Sequence, residues 1–470
     1  MPTVPRFLRG ICAAALAAGC ATHRPVRAPP RPEGTGAVYL YVQRFPAHAA
    51  GLSLSLEAVL ASRSDGLQEP MALHRTDLSG AVATRQLLVA SGTVPAGSYA
   101  GVRLKVTRAA LVTSEGPRAL EVPDEPLLVP RAFTVPAGRA AVLWLALRDE
   151  PQAVGAPLAA QLTLDVAHQP IPEQAGVTAN AGSNDLSVLD AVNRRVAGAL
   201  LLDEAPGGVA LDAAARRLYV SLPERDELRS FDLATGERRD LYRLRPGDAP
   251  GPIALAPGGK VLVAVNVGSR TASFVDPATL VELGRVPVGD RPVFLLLDAS
   301  GTRGYVFNRR SADITVLDLP NRAVAGTVAT DPEPLAGALD RTGTRLAVVQ
   351  AGSMYLNVLS VPGLAPAGRF FVGLGASAVL FDPRTDLVYV ATGDGATLAI
   401  FSALSPLPIG RIDVPGAVTR LTVEDMDGAL LALMPARGSL GVVDLGSRTL
   451  VSEIDVGVQP VDLAIARERR

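Results

Sequence analysis

Few residue types in this sequence could support catalysis or metal binding, and their positions narrow what they can do. The four histidines, His23, His48, His74 and His168, all precede residue 176. Haem ligation, a proton relay or a Ser-His-Asp triad would draw on one of them; the chain beyond must do without. Both cysteines, Cys12 and Cys20, lie at the extreme N-terminus, so the remainder can hold neither an internal disulfide nor a thiolate metal site. Gly373-Leu374-Gly375-Ala376-Ser377-Ala378 has the spacing G-x-G-x-x-A. A dinucleotide site would need a strand before it and a helix after it; its place in the chain predicts an inter-strand turn instead. Glu424-Asp425-Met426-Asp427-Gly428 hints at a calcium loop but lacks the further ligands and distal Glu, so a hairpin turn is expected. Trp144, the sole tryptophan, could stack on a ligand, but it sits in the apolar run Ala141–Leu147, which predicts a core role.

The elements that would position any site are repeats. Short apolar runs end at Asp190, Asp232, Asp276, Asp318, Ser360, Ser402 and Asp444, with successive spacings of 42, 44, 42, 42, 42 and 42. A second register of strands begins at Leu218, Val261, Gly304, Leu346, Leu387 and Leu430. Most follow turns such as Ala256-Pro257-Gly258-Gly259 or Asp298-Ala299-Ser300-Gly301, residues suited to tight antiparallel reversals. A third register is Val-Gly-x-x-Pro, at Val288–Pro292 and Val456–Pro460. Each period holds about four short strands, the pattern of a propeller blade, and seven registers predict seven blades over 176–470. The first repeat starts at a second strand, Val177-Thr178-Ala179-Asn180, and the last ends in an innermost-type strand, Val461–Ile465. Pairing them in one mixed blade would close the ring and remove the exposed edges. The strands Val177-Thr178-Ala179-Asn180 and Val263-Ala264-Val265-Asn266 resemble the signature of the YVTN-family β-propeller. That resemblance implies a secreted or surface protein and no single activity.

Before the repeats, alternation at Leu52–Leu56 and Val102–Thr107, and apolar runs at Val38–Val42, Ala141–Leu147 and Leu162–Val166, predict an antiparallel β-sandwich over 37–170. Leu87–Tyr99 running into Val102-Arg103-Leu104, with Phe133–Gly138, resembles a domain of unknown function found in bacterial lipoproteins. At the N-terminus, Arg6 and Arg9 precede a short apolar stretch, Ile11–Gly19, too short to span a bilayer. Leu16-Ala17-Ala18-Gly19-Cys20 resembles a bacterial lipobox. The resemblance implies a signal peptide over 1–19, lipidation of Cys20 and anchoring to the membrane. Residues 20–36 are rich in Pro and Arg and read as an extended tether. Ala21 in place of Asp favours the outer membrane by enterobacterial sorting rules.

A net charge of -1 calls for no nucleic-acid partner. Function would then fall to the loops at the channel mouth, where Asn266, Arg270, Asp290, Arg291, Asn308, Arg309, Arg310, Arg437 and Gln459 are candidate partner-binding residues. Their mixed charge suits a polar protein interface. The expectation is an all-β, non-catalytic, lipid-anchored envelope protein whose propeller is a scaffold for a protein or envelope component, with no cofactor and no resident metal. The alternative is a histidine-free hydrolase or lactonase using channel carboxylates, with or without a divalent cation.

Overall fold

The computed structural model describes residues 31–79, 85–113, 116–148, 158–167, 175–190, 193–393, 396–402, 405–424 and 428–466. The expected signal peptide, Cys20, His23, His168 and most of the stretch expected as a tether lie outside them.

The N-terminal domain is one ten-stranded closed sheet. In sheet order its strands are Leu162–Val166, Ala140–Leu147, Thr35–Val42, Leu87–Pro95, Gln68–Leu73, Leu52–Arg63, Gly97–Thr113 and Gly116–Ala119, with Asp77–Ser79 and Leu127–Val135 joined at the side. Alternate residues such as Leu52, Leu54, Leu56, Val102 and Leu104 fill one core, as their period of two requires. Two expectations are corrected. The sheet is not wholly antiparallel, because Thr35–Val42 runs parallel to Ala140–Leu147. The chain reaches that position by a long crossover, which a parallel pair needs. The folded domain also begins before residue 37, inside the stretch expected as a tether. Thr35 and Gly36 already lie in the first strand, where a Cβ on Gly36 would come within 2.6 Å of the Pro136 and Arg139 carbonyl oxygens.

Seven four-stranded sheets follow. Blade 1 combines Pro460–Ile465, innermost, with Ala175–Asn180, Asp185–Asp190 and Arg195–Leu201. Val177 faces Ala464 across this closing pair. Blades 2 to 7 each take four consecutive strands, with innermost strands Gly208–Asp212, Pro250–Leu255, Pro292–Leu297, Pro334–Leu339, Ala378–Phe381 and Arg420–Glu424. Second strands read as unbroken apolar runs because neighbouring blades cover both of their faces. Leu262, Val263, Ala264 and Val265 are all fully buried, each of the larger ones contributing about 1.5–3 kcal/mol. The turns after the innermost strands are built by the preceding Asp: the N–H groups of Thr302 and Arg303 donate to Asp298 Oδ1 at 2.8 and 3.0 Å. Asp340 repeats this with Thr344 and Arg345.

The sandwich is seated against blades 7 and 1. Its first strand reads Val-Tyr-Leu-Tyr-Val because both faces are buried, in different cores. Val38, Leu40 and Val42 point into the sandwich. Ala37, Tyr39 and Tyr41 join Val142, Val196, Leu433, Ile454 and Val456 in a cluster shared with the propeller. Trp144 belongs to this second face, not to the sandwich core. Its indole N–H donates to the Val196 carbonyl at 3.1 Å, and the Arg195 guanidinium lies 3.9 Å from a ring centroid. The expected core role therefore holds, in the core shared between the two domains.

Candidate functional site

Two regions collect the side chains capable of chemistry or recognition: the propeller axis and the face carrying the loops between blades.

At the axis, one position of each innermost strand recurs at the repeat spacing: Gly208, Pro252, Phe294, Ala336, Ala378, Arg420 and Asp462. Their pairing partners hold the same register, with Phe294 opposite Phe307, Ala336 opposite Val349, Arg420 opposite Leu433 and Asp462 opposite Ala179. Three small residues leave room for the large ones. Arg420 of blade 7 reaches across the ring to blade 4, where its guanidinium carbon stands 4.5 Å from the Phe294 ring centroid. Its Nε is 3.5 Å from Asp462 Oδ1, and the Val209 N–H donates to Asp462 Oδ2 at 3.1 Å. Burial pushes the Asp462 carboxyl up, against the pull of Arg420 and the Val209 N–H. Blades 1, 2, 4 and 7 are therefore tied together at this level. A cation at Asp462 would face the Arg420 charge. Among the described residues, no group of three His, Cys, Asp or Glu side chains is placed to hold a metal ion.

On the loop face, the structure separates the sequence candidates. Asn266 and Asn308 close second strands and are fully buried. The Asn308 amide donates to Asp313 Oδ1 at 2.6 Å and Thr315 Oγ1 at 2.9 Å. Asn266 does the same to Thr271 and Ser273, and Asn180 to Asp185 and Ser187. These asparagines staple second strand to third and leave no surface for a partner, which corrects their reading as contact residues. A Cβ on Gly289 would lie 2.7 Å from Asn308 Cγ, and one on Gly457 would lie 2.6 Å from Asn180 Cγ. The Val-Gly-x-x-Pro glycine and the strand-end Asn are thus one packing unit.

Asp290, Arg291, Arg309 and Arg310 do come together: the Arg309 N–H donates to the Arg291 carbonyl at 2.9 Å and the Arg310 N–H to that of Asp290 at 3.1 Å. Arg310 approaches Asp290 at 3.5 Å, and Arg309 pairs with Glu333 at 3.1 Å. Arg270 and Arg291 are exposed. Arg437 and Gln459 lie apart, beside the sandwich. Arg437 pairs with Glu453 at 2.9 Å, and the Gln459 carbonyl accepts the Ala181 N–H.

The sequence did not disclose the charged seam between the domains. Arg85 and Arg437 both hold Glu453, while Arg75 pairs with Asp455 at 2.7 Å. The Tyr39 hydroxyl donates to buried Asp185 at 2.5 Å. Arg31 donates to the Ser183 and Leu202 carbonyls at 3.0 and 2.9 Å. The carboxylates come from the propeller; Arg75 and Arg85 reach them from the sandwich, and Arg437 joins them from blade 7 itself. Burial pulls the Glu453 carboxyl up, but Arg437, Arg85 and Ser439 outweigh it and hold it at about 2. Asp455, with burial dominant over Arg75, is pushed up.

Also missed was the edge of blades 4 and 5, where Met354, Phe371 and Leu374 are exposed. The nearness of Tyr355 to the doublet Phe370-Phe371 in a chain with 4% aromatics was the available signal. Gly373–Ser377 forms the connection from blade 5 to blade 6, with the strand Ala378–Phe381 and no helix after it. Residues 425–427 of the acidic turn lie outside the described residues.

No protein-family model and no curated protein sequence matches the chain. Solved structures do. A protein from Lactobacillus plantarum is similar at a TM-score of 0.54 and 17% identity, covering 63% of this chain and 99% of its own. A functionally unknown protein from Desulfotomaculum acetoxidans DSM 771 is similar at a TM-score of 0.55 and 10% identity, covering 63% and 100%. At these identities the likeness shows the fold: a seven-bladed β-propeller, here preceded by a closed β-sheet domain.

Proposed function

We propose that this protein is a lipid-anchored cell-envelope scaffold of the YVTN kind, held to the outer membrane through Cys20, whose propeller binds a protein or envelope component with its loop face. The carrying observation is the axial contact of Arg420 with Phe294 and Asp462. It crosses the ring from blade 7 to blade 4, and it engages the one carboxylate of that layer. The hydrolase alternative has correspondingly little to stand on. The seam with the sandwich covers blades 7 and 1, whereas the loops of blades 3 to 5 remain open with exposed arginines.

Crosslinking in intact cells followed by affinity purification tests the binding role, with surface proteolysis reporting the side of the membrane. A specific, saturable partner is expected; none across repeated crosslinkers, together with a turnover assay on lactone or ester panels that is abolished by Asp462→Asn, would sink the scaffold. Fractionation of Cys20→Ser tests the anchor. The variant should lose its lipid-dependent membrane association, and unchanged processing and partitioning would refute lipidation.

A further inference from the structure

We propose that the loop-face edge of blades 4 and 5 docks an acidic segment of a partner protein that also carries aromatic or aliphatic side chains; this rests on the scaffold reading and specifies its site. Phe371 is the sole exposed aromatic residue among the described residues, at 55% exposure. Met354 and Leu374, exposed at 44% and 62%, flank it. The N–H groups of Val372 and Gly373 donate to the Met354 carbonyl at 2.9 and 3.1 Å, which holds the two stretches side by side.

The patch is stiffly supported. Tyr355 meets Phe371 edge-on at 5.8 Å, and Arg369 lies 4.3 Å over the Tyr355 ring. Arg369 donates in turn to Asp331 at 2.7 Å and Asn357 at 3.0 Å, and the Ser353 hydroxyl donates to Asp331 at 2.7 Å. Beside it a groove of about 520 Å³ runs between the blades, lined by Thr330, Val348, Asn357, Val358 and Arg369 among others. Exposed aliphatics on other outer strands, such as Val324 and Val451, have no such aromatic support. Fixed aromatic, Met and Arg side chains around a pocket are the composition of interface hot spots.

The rim supplies the charge preference. Contacts run unbroken from Phe371 through Tyr355, Arg369 and the loop of Asp331 and Glu333 to Arg309 and Arg291. Along this edge Asp331, Glu333 and Asp290 are each taken by Arg369, Arg309 and Arg310. Arg291 and Arg270 have no carboxylate within ion-pair distance among the described residues, against one carboxylate without an arginine, Asp313, which accepts from the Asn308 amide, so the edge keeps a net positive charge. An acidic segment satisfies those guanidiniums, and its apolar side chains cover Phe371 and enter the groove.

Selection of a phage-displayed random peptide library on the purified propeller-containing protein tests this, followed by anisotropy with the enriched peptides, fluorescein-labelled. Enriched peptides should combine Asp or Glu with Phe, Tyr or Leu. Their binding should fall on the order of tenfold or more with Phe371→Ala, weaken with Arg291→Glu and with added salt, and be unaffected by Val451→Ala. No enrichment, neutral or basic consensus sequences, or binding unchanged by Phe371→Ala would overturn the proposal. So would a concentration-dependent dimer abolished by Phe371→Ala, which would make a second copy the occupant. A cellular partner whose crosslinking ignores Phe371→Ala would leave the scaffold standing and remove only this site.

Discussion

Arg420 and Asn308 are the residues on which the propeller's interior turns, and each has a measurable signature. Arg420 and Asp462 are 21% and 14% exposed at the side chain, so removing the cation strands a largely buried carboxylate. Arg420→Met should cost about 3 kcal/mol, read as the urea midpoint, and Arg420→Met with Asp462→Asn should recover most of it. Recovery would not occur if the cation–π contact alone supplied the stability. Asn308→Ala should cost about 1–3 kcal/mol, because Asp313 and Thr315 lose their donor in a buried site; Arg310→Ala, 77% exposed, should stay within about 0.5 kcal/mol. The sequence marked both asparagines and arginines as loop-face residues. It could not separate them, because the position at a strand end does not reveal that a neighbouring glycine closes over one side chain and leaves the other in water.

Among elements, the last strand has the largest consequence. Pro460–Ile465 is innermost in blade 1 and pairs with Ala175–Asn180 from the other end of the repeats. A chain terminated after Val458 loses this strand and Asp462 with it, leaving an unpaired edge and a bare apolar face on blade 1. The expected outcome is loss of a single cooperative unfolding transition and of monodisperse elution, with increased dye binding to exposed apolar surface. A truncated chain that kept the wild-type transition would contradict a closed ring. This element was legible, since the incomplete blade at each end, three strands at one and a single strand at the other, is a local pattern. The strand Thr35–Val42 was legible only as a strand: its apolar run at Val38–Val42 did not tell that one of its faces packs against another domain.

For the whole molecule, the seam between sandwich and propeller contributes to the acid response, beside carboxylates such as Asp232 that Arg239 holds low within a blade. Glu453 titrates near 4.5 when unfolded and at about 2 when folded. Its contribution is therefore full above about pH 5 and is lost as the pH falls towards 2. Asp455 and Asp185, lifted by burial, act in the opposite sense: they take up protons earlier when folded, so their cost is relieved on acidification. Glu453→Gln should flatten the loss of stability between pH 5 and pH 2 in urea titrations run at successive pH values. An unchanged slope would mean that Arg85 and Arg437 do not hold the carboxylate in solution. None of these partners could be paired from the sequence, where Arg75 and Arg85 are ordinary loop arginines far from residues 453 and 455.

The repeat spacing, the turn residues and the incomplete units at both ends determined the number of blades and the closure of the ring. They are properties of neighbouring residues, and a sheet with an uncovered apolar face has few ways to hide it. The tertiary structure alone decided what meets at the axis and across the domain seam. Arg420 and Phe294 lie three repeat periods apart, and only the curvature of a seven-membered ring brings blade 7 opposite blade 4. Contact across a ring depends on where whole sheets come to rest, a quantity that no spacing along the chain encodes.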